Sequence, residues 1–434
     1  MSLNFEHNKA TGPETVLSHS SREYAMRAAV ILIILAVVVF SGSVCIGADW
    51  PQFRGPHRNG ISSETALLNR WPEGGPEMVW SAEGLGTGFA SLSVMERTIY
   101  TTGMIEGTGY FFAIGTNGKE RYRKVYGPEW TGPHPGTRTT PTVDGDRLYI
   151  MSGRGRIACF NRADGDLIWK VDTLEKFGGE NIKWGIAESV LIDGEKVFCT
   201  PGGKDATMVA LNKHTGETIW TTKGLSNLSA YCSPILYETP KKRLLMTMVQ
   251  KLIICVDSAT GEVMWTIPHE TRNDIAAVTP ARYCQGRVFF TSHGTGGSMV
   301  RFNQDGGDHE VLWSSPAMDC LHGGVILTAG GVGLCGSDSK GNWVSQNIAT
   351  GEVISSEKLL DAKGSITCAD QMLYCYSEKG MLGLVKPSRD GLKLVSSFQI
   401  TRGSGSHWAH PAISDGILYI RHGEVLMAFN VNEG

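Results

Sequence analysis

The sequence predicts an all-β fold, an eight-bladed β-propeller of four-stranded antiparallel blades that is closed by an N-terminal strand. A glycine followed four residues later by tryptophan recurs at Gly165–Trp169, Gly216–Trp220 and Gly261–Trp265. Successive glycines lie 51 and 45 residues apart, about the length of one four-stranded blade. Turn pairs such as Asp144-Gly145 separate short runs of strand-forming residues, which leaves little room for helices.

The repeat extends beyond these three copies. Weaker copies lie at Asn117-Gly118 with Tyr122, at Gly307 with Trp313, and at Thr350-Gly351 with Ser355. The tryptophans hold a fixed place in the repeat, and a large aromatic side chain can bury about 150 to 250 Å². We therefore expect the core between adjacent blades to contain Trp169, Trp220, Trp265 and Trp313.

The number of blades is predicted by counting the short segments at which the first strand of each repeat begins. Eight occur, at Ala90-Ser91, Thr140-Pro141, Glu188-Ser189, Ser233-Pro234, Thr279-Pro280, Gly323-Gly324, Gly364-Ser365 and His410-Pro411. Too few residues follow Phe429 to form the fourth strand of the eighth blade. Glu77–Trp80 is therefore predicted to supply that strand and to close the ring. Seven blades are the alternative, because the sixth and seventh repeats are degenerate.

The N-terminal region predicts export. Ala28–Ala48 is an uncharged run rich in Ile, Leu and Val that follows Arg27, and it is long enough to span a bilayer. A charged start, an apolar middle and the small residues Gly47-Ala48 are also typical of a signal peptide. Both interpretations place the rest of the chain in the periplasm or another extracytoplasmic space, either soluble after cleavage or tethered to the membrane.

Three segments follow from this pattern. A polar extension covers residues 1–25, a signal peptide or membrane anchor covers 26–48, and the propeller covers 49–434. Met26 is the predicted start of translation, so the extension is either untranslated or a short cytoplasmic tail. A lipid anchor on Cys45 is a third alternative, although Val44 is unfavourable just before a modified cysteine.

Composition and charge exclude some classes of function. Hydrophobic residues make up 41% of the chain and charged residues 19%, which is typical of a globular protein with a sizeable core. The formal net charge of -3 provides no basic field, so nucleic-acid binding is excluded. The propeller body is expected to be monomeric and to meet a membrane only through its N-terminal segment.

The ten cysteines do not predict a disulfide framework. Five of them lie inside short apolar runs, where a thiol behaves as a small hydrophobic group. These five are Cys159, Cys199, Cys255, Cys335 and Cys375. We expect mostly buried, free cysteines and predict no specific bridge.

Two motifs carry a resemblance to a known family. Residues 210–220 have the pattern Ala-Leu-Asn, two residues, Thr-Gly, three residues and Trp, and Trp50–Pro56 with Gly60–Ser62 form a second motif before the first blade. From about residue 50 to 432 the chain resembles the propellers with repeats like those that bind pyrroloquinoline quinone (PQQ). The resemblance implies radial sheets held together by glycine–tryptophan contacts between blades. Members range from quinoprotein dehydrogenases to noncatalytic scaffolds of the outer-membrane-assembly type, so the fold does not fix the function.

A site is expected where the loops that enter the innermost strands gather, at one mouth of the central channel. The candidate binding residues there are Arg138, Trp184, Tyr231, Asn273, His322, Trp408 and His410. In the dehydrogenases, PQQ needs an aromatic face, arginine for its carboxylates, and a calcium ion with oxygen ligands. By that resemblance Glu188 and Asn273 would bind calcium, and Asp274 or Glu188 would be the catalytic base.

Two functions compete. The favoured one is a noncatalytic binding or scaffold protein of the bacterial cell envelope, which needs no cofactor and has envelope or outer-membrane proteins as partners. The alternative is a periplasmic oxidoreductase of an alcohol or sugar that depends on PQQ and calcium. No two cysteines are adjacent in the sequence, so the vicinal disulfide of many alcohol-oxidising quinoproteins is missing. The body is also shorter than those enzymes, and both departures favour the binding protein.

Overall fold

The computed structural model describes Met1, residues 49–328 and residues 333–433. Within the compact unit Gly47–Gly434, the described residues form eight four-stranded antiparallel sheets. The predicted all-β propeller with eight blades is confirmed, and the seven-bladed alternative is wrong. The predicted signal peptide or anchor, and the extension before it apart from Met1, lie outside the described residues. No helix in the described part of the chain is long and apolar enough to cross a membrane.

The first four blades follow one another along the chain, after strand β1 (Met78–Ala82), which belongs to blade 8. Blade 1 contains β2 (Leu92–Met95), β3 (Thr98–Ile105), β4 (Thr108–Gly115) and β5 (Glu120–Pro128). Blade 2 contains β6 (Thr142–Asp144), β7 (Arg147–Met151), β8 (Arg156–Asn161) and β9 (Leu167–Asp172). Blade 3 contains β10 (Leu191–Asp193), β11 (Lys196–Cys199), β12 (Val209–Asn212) and β13 (Thr218–Thr221). Blade 4 contains β14 (Ile235–Glu238), β15 (Arg243–Val249), β16 (Leu252–Asp257) and β17 (Val263–Pro268).

The remaining blades use the same order. Blade 5 contains β18 (Ala281–Tyr283), β19 (Arg287–Ser292), β20 (Gly296–Phe302) and β21 (His309–Ser315). Blade 6 contains β22 (Val325–Thr328), β23 (Gly333–Ser337), β24 (Trp343–Gln346) and β25 (Val353–Glu357). Blade 7 contains β26 (Gly364–Ala369), β27 (Met372–Ser377), β28 (Met381–Ser388) and β29 (Gly391–Gln399). Blade 8 contains β30 (Ala412–Ser414), β31 (Ile417–His422) and β32 (Val425–Asn430). The short helices α1 (Thr173–Phe177) and a 3₁₀ turn (Arg272–Asp274) lie in loops between blades.

The first strands of the blades surround the channel. Strand β2 contacts β6 and β30, β6 contacts β10, and β22 contacts both β18 and β26. Each of these strands is the innermost one of its blade, because the sheet order runs outward in sequence order from it. The loops that precede the innermost strands therefore lie together at one end of the ring, as a channel mouth requires.

The repeated glycine holds the aromatic ring of the preceding blade. Gly216 has φ +74° and Gly261 has φ +78°, and a Cβ atom on either would lie within 3.0 Å of the ring of Trp169 or Trp220, respectively. The same arrangement pairs Trp80 with Gly118, Tyr122 with Gly165, and Trp313 with Gly351. The absence of a Cβ atom lets ring and backbone touch, which confirms the predicted glycine–tryptophan contact. Trp265 departs from the pattern, since it stacks on His309 at 4.7 Å between ring centroids.

An N-terminal strand closes the ring, as predicted. Strand β1 pairs antiparallel with β32, with Trp80 opposite Ala428 and Ser81 opposite Met427. It is the outermost strand of blade 8, whose other three strands come from the C-terminal end of the body. The two ends of the propeller are therefore joined by backbone hydrogen bonds within one sheet.

The segment Trp50–Ser62, called the plug below, runs across the channel rather than joining a blade. Its backbone pairs with Val94 of β2 and accepts a hydrogen bond from Val143 of β6. Two buried arginines fix it further: Arg58 donates to the carbonyls of Ser189 and Val190, and Arg54 donates to the carbonyl of Val325 at 2.6 Å. Ile61 then pairs with Cys368 of β26. The plug thus links innermost strands on several sides of the channel.

The cysteines match their prediction. In the described part of the chain all nine cysteines are free, and eight of them are buried. The exception is Cys284, which is exposed in the turn after β18. Burial raises the pKa of thiols such as Cys159, to about 11, so these groups stay protonated and act as core side chains.

Candidate functional site

A cavity of about 140 Å³ lies at the channel mouth. Five of the predicted binding residues line it together: Arg138, Tyr231, His322, Trp408 and His410. They come from the loops before blades 2, 4, 6 and 8, so the convergence follows from the ring and not from nearness in sequence. Their assigned role in cofactor binding stays a prediction.

One wall of the cavity is aromatic. The Trp408 ring packs against Phe89 at 4.8 Å, against His134 at 4.9 Å and against His322 at 5.6 Å between centroids. Phe89 and Trp408 both line the cavity. Edge-to-face and tilted contacts of this kind hold each ring in place, so the wall is preformed.

Arg138 supplies the charge of the cavity. Its guanidinium group lies 5.9 Å from the centroid of the Phe89 ring and donates to the carbonyls of Gly136 and His134. Burial lowers the pKa of Arg138 to about 10, so the side chain remains a cation at neutral pH. Nearby Glu129 is buried, and accepts hydrogen bonds from Tyr126 Oη and from the backbone of Trp130 and Gly153.

The plug contributes the floor of the cavity. Phe53 lines it and packs edge-to-face on His410 at 5.0 Å, and Arg54 lies 3.4 Å from Nδ1 of His410. His410 Nε2 donates to the carbonyl of His322 at 3.0 Å, so Nδ1 is the acceptor for Arg54. Burial, with Arg54 adding to it, lowers the pKa of His410 to about 3, so the ring is neutral.

Sequence reasoning missed this floor. The motif that contains Phe53 and Arg54 indicates the family resemblance and predicts no place in the site, although it contains a usable signal. An arginine and an aromatic residue occur there in a short segment, before the first blade, that fits no repeat. A segment outside the repeat is free to enter the channel.

His322 sits at the cavity edge with a charged neighbour behind it. Its Nε2 atom lies 3.3 Å from Glu378 Oε1, and Glu378 forms an ion pair with Lys363 at 2.7 Å. Burial lowers the pKa of His322 to about 4, although Glu378 acts in the opposite direction. Two neutral histidines therefore face the cavity, and Arg138 is its charged side chain.

Trp184 and the two polar residues of the 3₁₀ turn lie outside the lining of this cavity. Trp184 packs on Tyr231 at 5.9 Å, and its backbone N–H donates to Tyr231 Oη at 3.3 Å. Asn273 is exposed with φ 59°, and Asp274 accepts a hydrogen bond from Gln250 at 2.9 Å. Asp274 is near enough to Tyr231 to contribute to the raised pKa of its hydroxyl, about 12, although burial is the larger cause.

Glu188 is fully buried beneath the mouth. Its carboxylate accepts hydrogen bonds from the backbone and the hydroxyl of Thr200, while Oε1 has no partner among the described residues. Burial raises the pKa of Glu188 to about 7, opposed by Thr200 and by the charge of Arg58. Glu188 thus does not line the cavity that holds the other predicted residues.

Comparison with known proteins shows the family. The PQQ_2 family model, described as outer membrane protein assembly factor BamB, matches residues 77–332, more than half of the chain. The chain belongs to this PQQ-like propeller family. No curated protein matches the sequence.

Solved structures share the fold of this family. BamB from Moraxella catarrhalis is 15% identical with a TM-score of 0.60, and the match covers 82% of this chain and 99% of that one. The computationally designed Ika8 protein is 11% identical with a TM-score of 0.54, covering 82% and 100%. The quinohemoprotein alcohol dehydrogenase from Comamonas testosteroni is 13% identical with a TM-score of 0.48, covering 89% and 81%. Identities this low show a likeness of fold alone.

The cavity of this family member fits PQQ with its calcium ion poorly. Its volume of about 140 Å³ is below the roughly 300 Å³ at which pockets for small molecules begin. Calcium takes about six to eight oxygen ligands. Within the described residues, no group of three or more His, Cys, Asp or Glu side chains is placed to hold a metal ion. Glu188 is enclosed and Asn273 is exposed, so these two predicted calcium ligands lie in different environments.

Proposed function

We propose that this chain is a noncatalytic binding protein of the bacterial cell envelope, which holds a protein partner through the cavity at its channel mouth. The size and chemistry of that cavity support the proposal. About 140 Å³ is the space for one side chain of a partner rather than for a flat cofactor. Membership of a family described by an outer-membrane assembly factor supports the envelope setting.

The lining suits an anchor residue of a protein interface. Interfaces concentrate their binding energy in a few buried aromatic and arginine contacts. Trp408, Phe89 and Arg138 supply such contacts in one place, and the ring packing around Trp408 fixes them before binding. A partner side chain with an apolar body and a carbonyl or carboxylate end would pack on the rings and accept from Arg138.

Site-specific crosslinking tests the proposal. A photoreactive residue in place of Phe89 should crosslink one envelope protein in intact cells, and Trp408→Ala should abolish that product. Val311→Ala is the matched control, because Val311 is an exposed apolar side chain on the outer strand of blade 5. It should leave the crosslink unchanged. Purified protein that carries a stoichiometric quinone, or a product that Trp408→Ala leaves intact, would contradict the proposal.

The alternative is the periplasmic oxidoreductase that uses PQQ and calcium, supported by the position of Arg138 beside aromatic rings. Calorimetric titration of PQQ into the full chain, with calcium and again with chelator, separates the two. The binding protein should give no heat in either condition. Calcium-dependent micromolar binding, with dye reduction lost in Glu188→Ala and Asp274→Ala, would establish the enzyme instead.

A further inference from the structure

A second cavity, of about 530 Å³, lies between the plug and blades 5, 6 and 7. Ala281–Cys284 and Val325–Thr328 contribute to it, that is, the innermost strands β18 and β22 and the turn after β18. The mouth cavity is instead lined by residues that precede the innermost strands. The two cavities have no lining residue in common among the described residues, so they are separate sites.

The walls of the second cavity are mostly apolar. Its apolar lining consists of Ile61 of the plug, Val325 and Leu327 of β22, and Ala281 and Tyr283 of β18. The plug is fixed at blades 1 to 3, at Val325 of blade 6 and, through Ile61, at blade 7, and the cavity remains between it and blades 5, 6 and 7. A volume of about 530 Å³ falls in the range, roughly 300 to 1,000 Å³, of pockets for small molecules.

One lining residue, Arg282, has a charge without a counterion. It is partly buried, and its Nη1 atom donates to the carbonyl of Leu236 at 3.0 Å. In the described part of the chain no carboxylate lies within ion-pair distance of Arg282, and its other guanidinium nitrogens have no hydrogen-bond partner. Burial lowers the pKa of Arg282, since the surroundings do not compensate its charge.

Two arginines deeper in the interior make more polar contacts than Arg282 does. Arg421 donates five hydrogen bonds, to carbonyl groups and to the Thr101 hydroxyl, and Arg54 has three polar neighbours. Asp370 lines the same cavity but lies beyond ion-pair distance of Arg282, and it accepts a hydrogen bond from the backbone of Leu67 at 3.0 Å. Arg282 therefore lines a mostly apolar cavity and keeps donors without a partner among the described residues, an arrangement that favours an incoming anion.

We propose that this cavity binds a small amphiphilic carboxylate, whose apolar body packs on Ile61, Val325 and Leu327 while its carboxylate accepts from Arg282. The fork of the guanidinium group matches the two oxygens of a carboxylate. The binding is independent of the partner site at the channel mouth, since neither cavity supplies a residue to the other.

Cys284 provides a readout within the protein. It lines the cavity and is exposed, whereas the other eight cysteines in the described residues are buried. Octanoate bound in the cavity should slow the alkylation of Cys284 in the full chain, measured by peptide mass spectrometry. Octan-1-ol, with the same chain and no charge, should protect Cys284 much less at equal concentration.

Two matched variants test whether Arg282 is the charge that binds the carboxylate of octanoate. Arg282→Gln should weaken the protection by octanoate about tenfold or more, the effect of losing a charge-assisted hydrogen bond. Arg301→Gln is the control, because Arg301 lies in the same blade, pairs with Glu310 on the surface and does not line this cavity. It should behave like the wild type.

Several outcomes overturn the proposal: no protection by millimolar octanoate, equal protection by octanoate and octan-1-ol, or equal protection in the wild type and Arg282→Gln. If Arg282→Gln does not fold, the comparison of octanoate with octan-1-ol on the wild type decides alone. Crosslinking at the channel mouth is scored separately, so failure of one site does not count against the other.

Discussion

At the scale of single residues, Glu188 shows how the interior of the ring changes the chemistry of a side chain. Thr200 satisfies one of its oxygens, but the other lies in an enclosed space without a partner among the described residues. Because burial penalises the charged form, the pKa rises from 4.5 to about 7. A carboxyl group of this kind favours folding when protonated and opposes it when ionised.

The pH dependence of stability tests this account. The folded pKa of Glu188 lies above the unfolded one, so its contribution is fully present below about pH 4.5 and is lost as the pH rises through about 7. A shift of this size corresponds to about 3 kcal/mol. We expect Glu188→Gln to have nearly the same free energy of unfolding as the wild type near pH 4.5 and to be about 2 to 3 kcal/mol more stable at pH 8.

Urea unfolding at both pH values measures the difference. Glu217→Gln is the control, since Glu217 is an exposed carboxylate of the same blade. It should show no comparable gain at pH 8. A Glu188→Gln advantage that is equal at the two pH values would contradict the account of the buried carboxyl group.

Also at this scale, prediction from sequence reached the site only in part. Arg138 and Trp408 line the mouth cavity because their loops precede innermost strands, and the repeat fixes where those strands begin, while their role in binding stays a prediction. The burial of Glu188 could not be predicted, because the same loop can expose one side chain and bury the next. Which residue points inward depends on the loop conformation, and no periodicity specifies that.

At the scale of the elements, the contact between a glycine turn and the ring of the preceding blade joins adjacent sheets. Gly261 lies on Trp220, and a Cβ atom there would be 2.5 Å from the ring. Trp220 also donates through Nε1 to the carbonyl of Ser258 at 3.1 Å. The turn thus packs against the face of the ring and also accepts a hydrogen bond from its N–H group, which explains why glycine and tryptophan recur together.

Replacing this glycine tests the contact. Gly261→Ala has two costs, a left-handed backbone conformation with φ +78° and a clash with Trp220. Gly194→Ala is the matched control, because Gly194 also has a positive φ, +55°, but has nothing within 4 Å of its would-be Cβ atom. We expect Gly261→Ala to be about 1 to 3 kcal/mol less stable than Gly194→Ala in urea unfolding. An equal loss of stability in the two variants would contradict this prediction, because it would mean that only the backbone conformation, and not the contact with Trp220, carries a cost.

The elements also show where the repeat stops being informative. The blades were predictable because each repeats one pattern of strands and turns, so weak copies could be aligned with strong ones. The plug has no second copy, and its position depends on long-range contacts such as Arg58 with Val190 and Arg54 with Val325. These contacts join residues 132 and 271 positions apart, a separation at which local patterns carry no information.

At the scale of the whole molecule, the closure of the ring joins the two ends of the propeller body, with Met78 opposite Phe429. Strand β1 pairs with β32 across about the full length of the body, and bringing such distant segments together carries an entropic cost that grows slowly with length. The edge of β32 that β1 covers would otherwise be a row of unpaired backbone groups. Closure therefore both completes blade 8 and protects it from pairing with another chain.

Trp80 holds this closure in place, because it packs on Gly118 of blade 1 and donates to the carbonyl of Thr116 at 2.8 Å. We expect Trp80→Ala to speed hydrogen exchange in both β1 and β32 and to produce oligomers at high concentration, since the freed edge of β32 can pair with another copy. Trp169→Ala removes an equivalent contact between blades 2 and 3, where the chain is continuous. It should destabilise the protein without producing oligomers. Hydrogen exchange with light scattering distinguishes the two, and oligomers from both variants, or from neither, would mean that closure does not protect the edge.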